Sequence, residues 1–306
     1  MYARKTSPAT SPQASRRRLL QRLLAGAGSA ALGLGGAQGH ASARAQGAAA
    51  AALKLPRAIR GRGYRLARNW DFGSTVATIG KLRDEFFTRF IYDEGRLDKL
   101  NDEWQRYRDH DNHVFEGGAL SLVARAPTEL ASGHIESGML RSKWSGQYGY
   151  FECRMKVPGG RGLWPAFWLN PQDATWPPEI DVVEIVNNGR DTTRDSFHFV
   201  HPGVPDDRPA TYSQLRSNHV YRPGFDYKDD FHAFAVEWTA DRVRHFVDDV
   251  LVVERPFRWL HASGADAGPA HVLVNLAVGG KWPGAPDRLE DFPAKLQLKH
   301  IRVWQR

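Results

Sequence analysis

From about residue 70 onward the chain is written in short period-two runs broken by turn residues. Ala119 to Ala124 follows Gly117-Gly118, and Tyr150 to Val157 alternates strictly before Pro158-Gly159-Gly160. His232 to Trp238, Val243 to Asp248, His271 to Val278 and Leu296 to Trp304 complete the set. Successive side chains on a strand point to opposite faces, so these runs predict an antiparallel sandwich or barrel. Helical periodicity is weak: Thr78 to Leu82 and Pro256 to Leu260 are expected to form short turns at most. With no internal repeat and no second composition zone, one all-β domain over 70–306 is expected. Ten Trp, nine Tyr and fifteen Phe suit a β-rich core or stacking on flat ligands.

The net charge of +8 misleads until it is divided along the chain. Residues 1–70 carry thirteen Lys/Arg and no acid, whereas 71–306 hold 29 bases against 34 acids. The expected folded body is mildly acidic, and nucleic-acid binding, which needs a basic face on the fold, is not expected. The single cysteine, Cys153, excludes an internal disulfide and a cysteine-based metal cluster.

Ser15-Arg16-Arg17-Arg18-Leu19-Leu20 precedes an apolar stretch from Leu23 to Ala37. The small-residue sites Ala41-Ser42-Ala43 and Ala43-Arg44-Ala45 follow. A basic region, an apolar core and an A-x-A site together read as a secretory signal over 1–47, and the paired arginines resemble a twin-arginine signal. The apolar core is too short and glycine-rich to span a bilayer, so no membrane span is expected. Export to the periplasm or medium is expected, with 48–69 as a basic linker or arm.

The most informative segment is Trp176-Pro177-Pro178-Glu179-Ile180-Asp181-Val182-Val183-Glu184-Ile185-Val186. Glu179 and Asp181 are two apart and share a strand face. Glu184 would point the other way on a regular strand. A bulge at Val182-Val183 inserts one residue and returns it to the acidic face. Three acids on one face repel each other, so the arrangement is costly unless it is used. Two uses fit. Hard cations are held by oxygen ligands. Retaining glycoside hydrolysis needs a carboxylate nucleophile and a protonated acid about 5–5.5 Å apart. A solvated strand face is the third reading, disfavoured by the Trp, Pro and apolar flanks.

The E-I-D-x-x-E pattern at Glu179, Asp181 and Glu184 resembles the bulged motif of glycoside hydrolase family 16. So do four further segments in the same order. Glu136 to Lys143 with Tyr148 to Glu152 is similar to the family's S-G-x-x-x-S-K and Y-G-x-x-E strands. Gly162 to Leu169 matches G-L-W-P-A-F-W-L, Asn275 to Gly284 matches N-L-A-V-G-G-x-W-P-G, and Ile301 to Gln305 resembles the closing strand. The resemblance implies a concanavalin A-like jelly roll with a concave cleft for a polysaccharide. It implies Glu179 as nucleophile, Glu184 as general acid/base and Asp181 as the residue that orients and tunes Glu179. No metal or organic cofactor enters that chemistry. Family members often carry a structural calcium away from the cleft, whose ligands the sequence does not place. A monomer is expected.

Other residues qualify as substrate-binding. Trp164 and Trp168 are four apart and would be subsite walls if that stretch is extended, with sandwich core as the alternative. Trp282 lies in a Gly/Pro loop, where a binding role is more natural. Asn275 would hydrogen-bond either a sugar hydroxyl or a neighbouring strand. By resemblance, His201 lies near the acid/base, while His198 falls on the opposite face and is structural. Also by resemblance, Gln105 and Tyr107 reach the glycone side of the cleft. Pro178, Val182-Val183, Ile185, Lys281 and Pro202 depart from the common laminarinase pattern, which bears on the substrate. The leading expectation is an exported endo-acting retaining hydrolase of β-1,3- or mixed β-1,3/1,4-glucan. A galactan or bacterial exopolysaccharide is the alternative substrate. A transglycosylase and a non-catalytic glycan-binding module are the rival activities.

Overall fold

The computed structural model describes residues 53–109, 111–189, 193–203 and 217–306. The export-signal segment 1–47 lies outside them. Five strands come first: β1 (Arg65–Asp71), β2 (Phe86–Phe87), β3 (Gln105–Tyr107), β4 (His113–Glu116) and β5 (Ala119–Ala124). They are followed by β6 (Ile135–Ser137), β7 (Met139–Gly146), β8 (Gly149–Lys156), β9 (Leu163–Pro171) and β10 (Glu179–Glu184). Then come β11 (Ser196–His201), β12 (Ser217–Tyr221), β13 (His232–Trp238) and β14 (Arg242–Val247). The last are β15 (Val250–Pro256), β16 (Ala270–Val278) and β17 (Ala294–Gln305).

These strands form two large antiparallel sheets. One runs β15-β14-β13-β8-β17-β5-β4, with β1 added to β17; the other runs β12-β11-β10-β9-β16-β7-β2. A small parallel pair joins β3 to β6. The fold is the expected antiparallel jelly-roll sandwich. Its core lies between the large sheets, where Leu120, Leu122, Phe151 and Met155 meet Phe167, Leu169, Ile180, Val272 and Val274. Cys153 is buried in that core, and burial pushes its thiol well above the ordinary range.

Two expectations are corrected. The described part of the expected linker, 53–69, is not simply a linker, because Ile59 and Tyr64 pack with Tyr150, Phe246 and Trp304, and β1 pairs along β17. Its basic side chains hide this: Arg62 donates to Glu237 at 3.0 and 2.5 Å and Tyr64 donates to the same carboxylate at 2.7 Å. Charge that reads as solvated arm is spent on a buried acid. The region Pro256 to Leu260, expected to turn at most, indeed forms no helix, since Phe257 and Trp259 are pulled into the core. The other expected turn becomes the short helix α1 (Ile79–Glu85), whose cap Thr78 accepts from the Lys81 amide at 3.3 Å. Among the described residues no helix is long and apolar enough to cross a membrane.

Candidate active site

Strand β10 carries the acids. Asp181 pairs with Trp168 of β9, Val183 with Phe167 and Glu184 with Ala166, so Val182 is the extra residue. The same shift separates Asp181 and Glu184 along β11. The bulge therefore sits where the acid spacing demands it and turns Glu184 to the side of Glu179 and Asp181. Val182 and Val183 go to the core behind. All three carboxylates are almost fully buried, each about 1% exposed. Charges this deep persist only with specific partners.

Those partners are distinct. His201 on β11 faces Glu179 across the ladder, and its Nε2 lies 2.9 Å from Asp181 Oδ2 and 3.6 Å from Glu179 Oε1. Trp164 Nε1 donates to Glu184 Oε1 at 3.0 Å. One glutamate therefore sits in a histidine–aspartate environment and the other against an indole donor. Donor atoms of Glu179, Asp181 and His201 lie within 4.8 Å of one another, a spacing a metal ion could also use.

The remaining sequence candidates fall into two groups. Trp282 stays partly exposed and stands edge-on to Trp164, Phe197 and Phe199 at 5.2, 5.3 and 5.8 Å. These four rings form an aromatic wall beside Glu184. Trp168, Asn275, Tyr107 and Gln105 instead belong to the buried floor. Trp168 Nε1 donates to Asn275 Oδ1 at 2.8 Å, and Asn275 Nδ2 donates to the Tyr107 hydroxyl oxygen at 2.9 Å. Gln105 accepts from the Val278 amide and donates to Glu103, at 2.8 and 2.7 Å. Phe90 and Tyr92 pack over Trp168 and close this part of the concave face. Gly279, with φ +72°, comes so close to Trp104 that a Cβ would lie 2.5 Å from the ring. This contact seats the Gln105 segment on the end of β16.

Sequence reasoning passed over Phe197, Phe199 and Trp176. The signal for the first two was present, because Phe197, Phe199 and His201 alternate on β11 and stack in a ladder at 6.3 and 6.0 Å. Trp176 stands 6.1 Å from His201, a contact across a loop that no periodicity announces. His198 lies on the core side, as expected, and is fully buried.

Residues 101–295 match the model of glycosyl hydrolases family 16. The chain belongs to that family. As a family 16 glycoside hydrolase it is 33% identical over 238 residues to a β-glucanase of Rhodothermus marinus, covering 71% of this chain and 79% of that one. It spans about a third of several longer curated relatives. The laminarinase catalytic domain of Thermotoga maritima is a structural neighbour with TM-score 0.63 at 27% identity, covering 79% of this chain and 98% of that one. The endo-β-1,3-glucanase of Pyrococcus furiosus superposes with TM-score 0.61 at 28% identity, covering 79% and 94%.

Proposed function

We propose that this chain is an endo-acting, retaining hydrolase of β-1,3- or mixed β-1,3/1,4-glucan, working as an exported monomer. The observation that carries the reading is the bulged strand, which sets Glu179 and Glu184 on one face in different surroundings. Two carboxylates held in unlike environments can take opposite protonation roles. Glu184 gives its proton to the glycosidic oxygen as that bond breaks, and Glu179 attacks the anomeric carbon to form a glycosyl ester. Glu184, now a carboxylate, removes a proton from water, which displaces Glu179 and regenerates both groups with the anomeric configuration retained. Asp181, held by His201, orients Glu179. The partly exposed rings of Phe197 and Trp282, backed by the buried Trp164 and Phe199, supply apolar faces for sugars. The glucanase relatives support the substrate class, and the N-terminal signal pattern supports export. No ion or organic cofactor is assigned to the reaction.

The test is reducing-sugar release against laminarin, lichenan, curdlan, xyloglucan, agarose and carrageenan, with Glu184→Gln beside the wild type. Activity on laminarin or lichenan that the variant loses supports the proposal, and proton NMR of the first product should show the retained anomer. Activity confined to a galactan would keep the mechanism and replace the substrate. Silence on every polymer with binding intact would make this a glycan-binding module.

A further inference from the structure

A second site lies at the far end of the sheet that carries the acids. Phe87 pairs with Arg141, Arg141 with Leu273, Leu273 with Trp168 and Trp168 with Asp181. Paired residues in an antiparallel sheet share a face, so these five form one transverse row. Arg141 is three strands from Asp181, about 14 Å at ordinary strand spacing. The segment bearing Phe90 and Tyr92 crosses the row over Trp168 and Leu273. Beyond it opens a cavity of about 570 Å³ lined by Arg83, Phe87, Arg89, Arg141 and Lys143.

The electrostatics of this cavity are unbalanced. Arg141 is only 6% exposed, yet among the described residues no carboxylate pairs with it. Its Nε donates to the Arg89 carbonyl at 3.2 Å, and its guanidinium sits 4.3 Å from the Phe87 ring. Lys143 Nζ approaches the same ring at 5.1 Å. Of the two acids on the wall, Glu94 pairs with Arg96 at 3.2 Å and Asp109 lies 3.7 Å from Arg89, so among the described residues Arg141 and Lys143 are wall cations with no carboxylate beside them. Burial pushes Arg141 down to about 10, a sign that the cation is held at a cost. A buried charge left without its counter-charge is expensive, and an anion entering the cavity would remove that expense.

We propose that this cavity is an anion subsite, in which Arg141 and Lys143 hold the carboxylate or sulfate of an acidic sugar unit against Phe87, a few rings from the scissile bond. The inference rests on the hydrolase reading of β10 and narrows its substrate to a glycan carrying oxyanion groups. Guanidinium and ammonium donors bind such oxygens by charge-assisted hydrogen bonds, and Phe87, 44% exposed, offers an apolar wall for the ring.

The experiment is calorimetric titration of the full chain carrying Glu179→Gln, which leaves the oligosaccharides uncut. Three probes are used: neutral laminari-oligosaccharides, the same oxidised at C6 to carboxylates, and the same sulfated. At least one anionic probe should bind about tenfold tighter than the neutral one, with the gap shrinking at high salt. The two anionic arms decide between carboxylate and sulfate. Lys143→Gln and Arg141→Met should each remove most of the gap and leave neutral binding unchanged. Lys143 is exposed, so its variant keeps the test alive if the Arg141 substitution unfolds the chain. Equal affinity for all three probes, or a gap that survives Lys143→Gln, would overturn the subsite. Wild-type turnover of neutral laminarin is read separately. An anionic preference without that turnover would keep the subsite and sink the glucan assignment.

Discussion

His198 Nδ1 donates to the carbonyl of Val182 across 2.6 Å, directly behind the bulge that turns Glu184 toward Glu179. A carbonyl only accepts, so the proton is on Nδ1 and Nε2 is left to accept from Ser196 Oγ at 3.0 Å. The bulge frees a carbonyl from the ladder, and a fully buried imidazole satisfies it. His198→Phe should leave that carbonyl unpaired. We expect a loss of about 1–3 kcal/mol in urea unfolding together with a lower kcat. An unchanged kcat would show that the bulge holds without the histidine.

The same residue makes stability depend on pH. Burial, with Arg255 and His219 adding to it, pushes His198 down to about 3. Burial and the neighbouring His198 and Arg255 push His245, 5.4 Å away ring to ring, well below its ordinary value. The unfolded chain takes up these protons near pH 6.5, whereas the folded chain does not. Stability is therefore fully present above that value and falls as pH drops from about 6.5 toward about 3. Each histidine contributes a slope of up to about 1.4 kcal/mol per pH unit. Urea midpoints across this range should fall, and His198→Phe should flatten the curve; a slope untouched by the substitution would place its origin elsewhere.

Trp164→Phe keeps the ring beside Trp282 and removes only the indole donor to Glu184. A carboxylate that loses a fixed partner loses its orientation, and about a tenfold drop in kcat is expected with little change in melting temperature. Steady-state kinetics and thermal unfolding read the two effects. A fall in stability with kcat intact would make Trp164 a packing residue.

Glu237 anchors the N-terminal segment. Burial pushes its carboxyl up, but hydrogen bonds from Arg62 and Tyr64, with Arg244 nearby, outweigh that and hold it below the ordinary value. Its contribution is present above about pH 4.5 and is lost as pH falls below it. Glu237→Gln should cost about 1–3 kcal/mol, discounted because its arginine partners are partly exposed. The variant should also open the 55–64 segment to proteolysis. Unchanged cleavage would show that apolar packing of Ile59 alone secures it.

Glu179, Asp181 and His201 are close enough to bind an ion, but the proposed double displacement asks nothing of one. Dialysis against EDTA should leave kcat unchanged. Activity lost and then restored by a divalent cation, with the bound metal itself lost in His201→Ala, would assign the cluster to a metal and overturn the mechanism.

The acid spacing on β10 already contained the bulge, because only one extra residue reconciles Glu179, Asp181 and Glu184 with a common face. The alternation of β5, β8, β13 and β16 likewise contained the sandwich. Both follow from the period-two geometry of a single strand, a local property that residue order records. The fate of Trp164 and Trp168 was not recorded there. They lie on the same strand face, yet one faces Glu184 and the aromatic wall, while the other is sealed beneath Phe90 and Tyr92. The basic stretch near Arg62 was equally opaque, since its partner Glu237 is 175 residues away. Arg141 gave no sign of its isolation, because a missing counter-charge is a property of everything packed around a residue. Periodicity is set by the backbone of one strand and survives in the sequence. Burial and pairing are set by which segments the fold brings together, and for these residues only the packed sheets decide them.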